Sequence, residues 1–279
     1  MIDLSSGTID DFSPEEQLLK DFIGGNGLGA RLLYNWIKPG IDPLGPENTL
    51  GLTTGPLTGT PALSGSRYMA VGKSPLTGAW GEANSGGYFG PQLKFAGFDA
   101  AYFRGISEKP VYLLLDDGKA ELKDASELWG MDAVETEDRL KAEYGKNVEV
   151  ACIGPAGEKI SLISAIVNNH GRTAARCGLG AVMGSKRIKA VVARGNLSVP
   201  LADKAKTSEL RRKWQKDMAG RLFDSFSKFG TCGSVAANSM RGDTPIKNWA
   251  GVGIRDVPEA EAISDVNVIK YEVKKYACY

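Results

Sequence analysis

The sequence predicts an α+β fold, because strand-like runs dominate the first two thirds of the chain while helices fill in between them, and because the texture turns charged and helix-forming near Pro200. Ser13-Pro14-Glu15-Glu16 reads as a helix start, with Ser13 as cap, Pro14 at the first helical position and Glu16 completing a capping box. That helix runs to about Phe22. Gly24-Gly25-Asn26-Gly27-Leu28-Gly29 then reads as a break, after which Ala30 to Ile37 resumes helical periodicity until Pro39-Gly40. Strand-like runs follow at Asn48 to Thr53, Arg67 to Val71, Val111 to Leu115, Val148 to Ile153, Ile160 to Val167 and Ile188 to Ala193, with one clear helix from about Met131 to Tyr144. From about Pro200, the segment LADKAKTSELRRKWQKDMAGRLFDSFSKFG places Leu210, Trp214 and Met218 or Leu222 near one helix face. It marks either a second domain or a peripheral helix on the first.

Composition narrows the function. The 279 residues are 42% hydrophobic and 24% charged, with formal net charge +1. Lys+Arg 34 against Asp+Glu 33 gives no basic excess for a nucleic-acid backbone, and no apolar run reaches the roughly 18 residues of a membrane span. The acidic N-terminus, MIDLSSGTIDDFSPEEQ, lacks the basic and apolar regions of an export signal, so a cytoplasmic protein is expected.

The stretch from Gly55 to Gly90 carries the chemistry. It sets glycines among Arg67, Lys73, Asn84 and Ser85 at a density an ordinary core cannot use, letting backbone N–H groups approach a ligand with no Cβ in the way. Such a surface suits a large, flat, phosphorylated cofactor held by main-chain donors, with an arginine and an amide fixing its orientation. Three other glycine patterns fail as nucleotide sites. Gly25, Gly27 and Gly29 follow a helix, whereas a dinucleotide fold needs a strand before them. Gly72-Lys73-Ser74 ends like a P-loop, but the leading glycine would fall at Arg67 and Pro75 follows at once. The run from Gly178 to Gly184 is one residue too long for G-x-G-x-x-G.

The four cysteines, Cys152, Cys177, Cys232 and Cys278, form no C-x-x-C pair, and the first three read as buried thiols of a reduced compartment. Cys278 differs, because it is penultimate in KKYACY, a segment with no cap or polar tail. The ending reads as the front part of a longer polypeptide. His170, the single histidine, sits beside Gly171 and reads as a turn residue with no catalytic role. By residue type alone, Arg172 reads as an exposed surface charge and Asn84 as a turn-former ahead of Gly86-Gly87.

GPLTGTPALSGSRYMAVGKSPLTG, ANSGGYFGPQLKFAGFDA, IGPAGEKISLISAIVN and GLGAVMGSKRIKAVV together resemble the amino-terminal domain of the tungsten-containing aldehyde ferredoxin oxidoreductases, in consistent order from about Leu4 to Pro200. The similarity continues more weakly through KFGTCGSV and PIKNW to the final ACY. The resemblance implies an α+β base domain over residues 1–200, with duplicated mixed β-sheets and flanking helices, followed over 201–279 by the beginning of a mainly helical domain. It implies a tungsten (or molybdenum) bis-pterin cofactor with magnesium, resting on that base. Arg67 is then the arginine between the pterin and a [4Fe–4S] cluster. Asn84 corresponds to a ligand of the magnesium bridging the pterin phosphates, and Gly86 to a backbone contact with the cofactor. Arg172 and Thr173 match the pterin-contacting pair, Thr173 giving its carbonyl to magnesium where relatives often carry alanine. Cys278 becomes the first cluster thiolate, with the remaining cluster cysteines beyond Tyr279.

The activity so implied is oxidation of an aldehyde to a carboxylic acid, with electrons passed through the cluster to ferredoxin and a homodimer common in the family. Two alternatives stay open: a benzoyl-CoA-reductase-type subunit of the same superfamily, and an inactive stand-alone fragment.

Overall fold

The computed structural model describes residues 1–273, with every side chain in that span except those of 221, 222 and 254. Among the described residues, 1–207 form one compact unit and those from Ser208 onward a second.

The first unit is built from two halves. The first half holds β1 (Ile2–Asp3), β2 (Thr8–Ile9), α1 (Glu16–Phe22), α2 (Gly25–Trp36), β3 (Leu50–Thr54), β4 (Tyr68–Lys73), β5 (Trp80–Ser85), α3 (Phe89–Phe95) and β6 (Ala100–Arg104). The second holds β7 (Val111–Asp116), β8 (Lys119–Asp124), α4 (Ala133–Tyr144), β9 (Val148–Cys152), α5 (Pro155–Glu158), β10 (Ile166–Asn168), β11 (Arg172–Ala174), α6 (Leu179–Ser185) and β12 (Ile188–Arg194). Each half makes a six-stranded sheet, ordered β5-β4-β3-β6-β1-β2 and β11-β10-β9-β12-β7-β8. In both, only the fourth pairing, of the last strand of the half with its first, is parallel. The expected duplication of mixed sheets is thus present strand for strand.

Packing repeats as well. One core takes Leu50, Leu52 and Phe103 from the first sheet, Leu113, Ile153 and Val191 from the second, and Phe89, Leu93, Leu179 and Met183 from α3 and α6. The outer face of the first sheet is covered by α2 through Leu32 and Leu33 against Val71 and Tyr102. The second sheet is covered by α4 through Leu140 against Val150 and Val192. A sheet that must bury both faces needs a helix on each side, and the two halves solve this identically.

Several elements differ from the sequence expectation. Helix α1 begins at Glu16 after an extended Glu15 that makes no side-chain cap, so Ser13 and Pro14 lie before the helix. The helix breaks at Ile23-Gly24, but from Gly25 on the glycine run lies inside α2: a Cβ on Gly29 would stand 3.1 Å from Val71 Cγ2, and one on Gly27 2.5 Å from the Phe22 carbonyl oxygen. Close approach of two helices and a sheet, rather than a chain break, explains those glycines. The run from Ile160 to Val167 is a turn leading into β10, and its apolar Leu162 and Ile163 are exposed. Helix α4 begins at Ala133, after a full capping box between Asp132 and Glu135. Cys152 is buried as expected, but Cys177 and Cys232 are only half-buried.

The second unit is helical among the described residues, with α7 (Lys204–Asp217) leading in, then α8 (Arg221–Phe229) and α9 (Val235–Arg241). Leu210, Trp214 and Met218 are all exposed, and α7 buries no side chain. No described helix is long and apolar enough to cross a membrane.

Candidate functional site

β5 is an edge strand whose side chains alternate, with Gly81, Ala83 and Ser85 buried and Glu82 and Asn84 exposed. Its register with β4 pairs Met69 with Asn84 and Tyr68 with Ser85, so Arg67, just before β4, ends beside Asn84. The Arg67 guanidinium donates to Asn84 Oδ1. The Gly55–Arg67 loop is folded on itself: Gly55 N–H donates to Thr58 Oγ1 (3.2 Å), whose hydroxyl donates to the Arg67 carbonyl (3.2 Å), and Gly59 N–H donates to Gly65 O (2.8 Å). Gly90 lets α3 close against this strand, since a Cβ there would lie 2.7 Å from the Ser66 carbonyl oxygen and 3.0 Å from the Arg67 carbonyl carbon.

β11 is the corresponding edge strand of the second half and lies against β5. In β10–β11, Val167 pairs with Thr173 and Ile166 with Ala174. Thr173 therefore occupies the register position that Asn84 occupies in β4–β5, each one residue in from the first pair of its hairpin. Arg172 is half-buried beside it and Thr173 exposed.

A buried polar knot joins the two edges. Asn168, fully buried, accepts from Ser85 Oγ (2.7 Å) and Tyr68 Oη (3.4 Å) on Oδ1, and its Nδ2 donates to the Gly86 carbonyl (3.0 Å). With its carbonyl so engaged, Gly86 can offer a ligand its N–H. Burial pushes the Tyr68 hydroxyl far above its ordinary range, so it stays neutral and can donate. Sequence reasoning named Ser85 in the glycine-rich stretch but missed Tyr68, Asn168 and Asn169; the Asn-Asn-His-Gly turn composition was the one local signal for the last two.

The residues expected from sequence thus separate as follows. Arg67, Asn84 and Gly86 come together on one edge, and Arg172 and Thr173 lie on the hairpin that meets it. His170 sits in the β10–β11 turn with Nε2 2.7 Å from Asp138 Oδ1. Lys73 belongs to β4, with Nζ donating to the Ile41 carbonyl (2.6 Å), so no phosphate loop exists there. Cys278 lies outside the described residues. Among the described residues no group of three or more His, Cys, Asp or Glu side chains could hold a metal. The donors at the junction, two guanidiniums, an amide and main-chain groups, are of the kind that bind phosphate and magnesium rather than soft metals. Asn84 Oδ1 already receives a cation in the form of Arg67, as a group able to ligand magnesium would.

The profile of the "Aldehyde ferredoxin oxidoreductase, N-terminal domain" family matches residues 1–195. The chain belongs to this family. It is 43% identical to the tungsten-containing aldehyde ferredoxin oxidoreductase of Pyrococcus horikoshii, an alignment covering 100% of this chain and 46% of that protein. It is 32% identical to the aliphatic sulfonate oxidoreductase, WOR-like subunit, of Pyrococcus furiosus, over 99% of this chain and 46% of the relative. A solved structure of the active site complex BamBC of benzoyl coenzyme A reductase superposes with TM-score 0.75 at 32% identity, covering 88% of this chain and 35% of that one. The chain spans about half the length of the curated relatives it matches. It corresponds to the amino-terminal portion of members of the aldehyde ferredoxin oxidoreductase family.

Proposed function

We propose that this chain forms the floor on which a tungsten bis-pterin cofactor rests, in a complete protein that oxidises an aldehyde to a carboxylic acid. The observation that carries the reading is the matched placement of Asn84 and Thr173, at one register position in two equivalent hairpins whose edge strands lie together. A floor made of two equivalent halves suits a cofactor made of two equivalent pterins.

In this reading Arg67 and Arg172 bind phosphate oxygens through their guanidinium groups, and the Gly86 N–H adds a main-chain donor. Asn84 Oδ1 and the Thr173 carbonyl would be oxygen ligands for magnesium, and Arg67, which here donates to Asn84, would be free to bind the cofactor instead. A carbonyl ligand does not depend on side-chain identity, which makes threonine as suitable as alanine at 173. The bound cofactor supplies the two-electron redox chemistry, and the protein holds it, balances its charge and excludes water. Cys278 would be the first thiolate of a [4Fe–4S] cluster, which would supply one-electron transfer toward ferredoxin.

The test is metal and pterin analysis of the purified complete protein with its visible absorption spectrum, followed by aldehyde-dependent reduction of ferredoxin. Near-stoichiometric tungsten or molybdenum, pterin, magnesium and iron support the reading; a colourless, metal-free folded protein overturns it. The likeness to benzoyl coenzyme A reductase favours a second reading, with the same floor and cofactor but an aromatic thioester as substrate. Loaded protein that ignores aldehydes and turns over a thioester would select it.

A further inference from the structure

The β10–β11 turn is gripped far more heavily than a hairpin turn requires. Asn169 and His170 both adopt the left-handed conformation, with φ 47° and 58°, and Gly171 N–H closes the turn on the Asn168 carbonyl (3.3 Å). Asn169 Oδ1 accepts from the Tyr88 N–H (2.8 Å) across in the first half, and from Asn168 Nδ2 (2.9 Å). Its Nδ2 donates to Glu149 Oε2 (2.6 Å), which also receives Lys141 Nζ (2.8 Å). Lys141 reaches Glu137 Oε1 at 2.7 Å, and Glu137 Oε2 accepts from the His170 N–H (2.9 Å). Glu137 is fully buried.

One acid–base chain from α4 and β9 therefore holds two successive turn residues, and one of those residues reaches over to the loop after Gly86-Gly87. Gly87 has φ 91°, and a Cβ there would run into Asn169 Oδ1 and crowd Asn168 Nδ2 at 3.0 Å. The space a side chain would occupy at 87 is thus taken by the asparagine from the other half.

We propose that Asn169 is the positioning residue of the cofactor floor: it clamps the turn that leads into Arg172 and Thr173 to the loop that follows Asn84 and Gly86, fixing the separation of the two sets of phosphate and magnesium donors. Asn169 touches no ligand in this scheme and acts through the backbone of Tyr88. The inference rests on the proposed cofactor floor. A direct anchor between the halves is needed because neither edge strand continues a ladder with the other: the sheets are separate, and backbone pairing does not set their spacing.

The test uses the complete protein and reads tungsten and pterin content beside thermal unfolding. Asn169→Gly accepts the left-handed backbone while deleting all three side-chain bonds, and is expected to lower cofactor content roughly tenfold, with the protein still folded. Asn169→Asp combined with Glu149→Gln swaps donor and acceptor, keeps the acceptor for Tyr88, and is expected to restore content to within about twofold of wild type. A merely structural turn residue would change the unfolding temperature and leave occupancy of the folded protein unchanged, and that result overturns the proposal. If Asn169→Gly does not accumulate, Glu149→Ala frees the same amide; unchanged content in that variant also overturns it. Wild-type protein empty of pterin would instead overturn the cofactor floor itself.

Discussion

Lys186 offers a stability measurement with a definite sign. It follows α6, is fully buried, and donates through Nζ to the Gly105 carbonyl (3.1 Å), while among the described residues no carboxylate lies within ion-pair distance. Burial pushes its ammonium down to about 8 from an ordinary 10.5, opposed weakly by Asp3. Below pH 8 the lysine is charged in both states, and the native state carries the whole cost of the buried charge. Between about 8 and 10.5 the unfolded chain binds the extra proton, so this group makes stability rise with pH across that window. At 1.36 kcal/mol per pH unit the interval amounts to about 3 kcal/mol. Lys186→Met keeps the side-chain volume and removes the charge, but leaves the Gly105 carbonyl short of a partner, a loss of about 1 kcal/mol. The variant should therefore be about 2 kcal/mol more stable than wild type at pH 7, with the advantage vanishing by about pH 10. Urea unfolding of both proteins at pH 7, 8.5 and 10 measures the difference directly. A variant less stable than wild type at pH 7, or a gap that does not change with pH, would refute the reasoning.

Three further outcomes follow from the packing. Lys189 and Glu158 form a buried ion pair at 2.5 Å, with Lys189 also donating to the Met131 carbonyl (2.7 Å), so Lys189→Met alone should cost about 3 kcal/mol or more, and Glu158→Gln added to it should recover most of the loss; zero coupling in the double-mutant cycle would contradict this. Gly90→Ala would drive a methyl into the Ser66 and Arg67 backbone, so a lower unfolding temperature and reduced tungsten content should appear together in the complete protein. Asn84→Leu in the complete protein should lower magnesium and pterin content more than it lowers folding, because Asn84 is exposed and its amide oxygen bonds only to Arg67 among the described residues; unchanged occupancy would count against its role.

Much of the site was legible in one dimension because its chemistry is tied to local motifs. Arg67 sits in SGSRYMAV and Asn84 in ANSGG, and Gly90, close by in sequence, answers a crowding against the Ser66 and Arg67 backbone. Helix α4 was legible because Asp132 and Glu135 cap it within one turn. Other elements were illegible for equally specific reasons. β5, Trp80-Gly-Glu-Ala-Asn-Ser, carries weak strand formers and exists because β4 pairs with it. Helix α3 contains Gly90 and Pro91 and is held by burial of Phe89 and Leu93. The glycine run in α2 looked like a break because the contacts that require it, Phe22 and Val71, are not adjacent in the pattern.

By itself the sequence determined the family and the α+β class, and it nominated the arginines, amides and glycines of the candidate site, since these depend on residue type and short-range spacing. Only the tertiary structure decided that Asn84 and Thr173 are equivalent positions of a repeated hairpin, and that Asn168 and Asn169 tie the two repeats together. Those ties span about eighty residues of chain, with Ser85 reaching Asn168 and Tyr88 reaching Asn169. Hydrogen bonds of that range are set by how two sheets pack around a common core, which no local periodicity records.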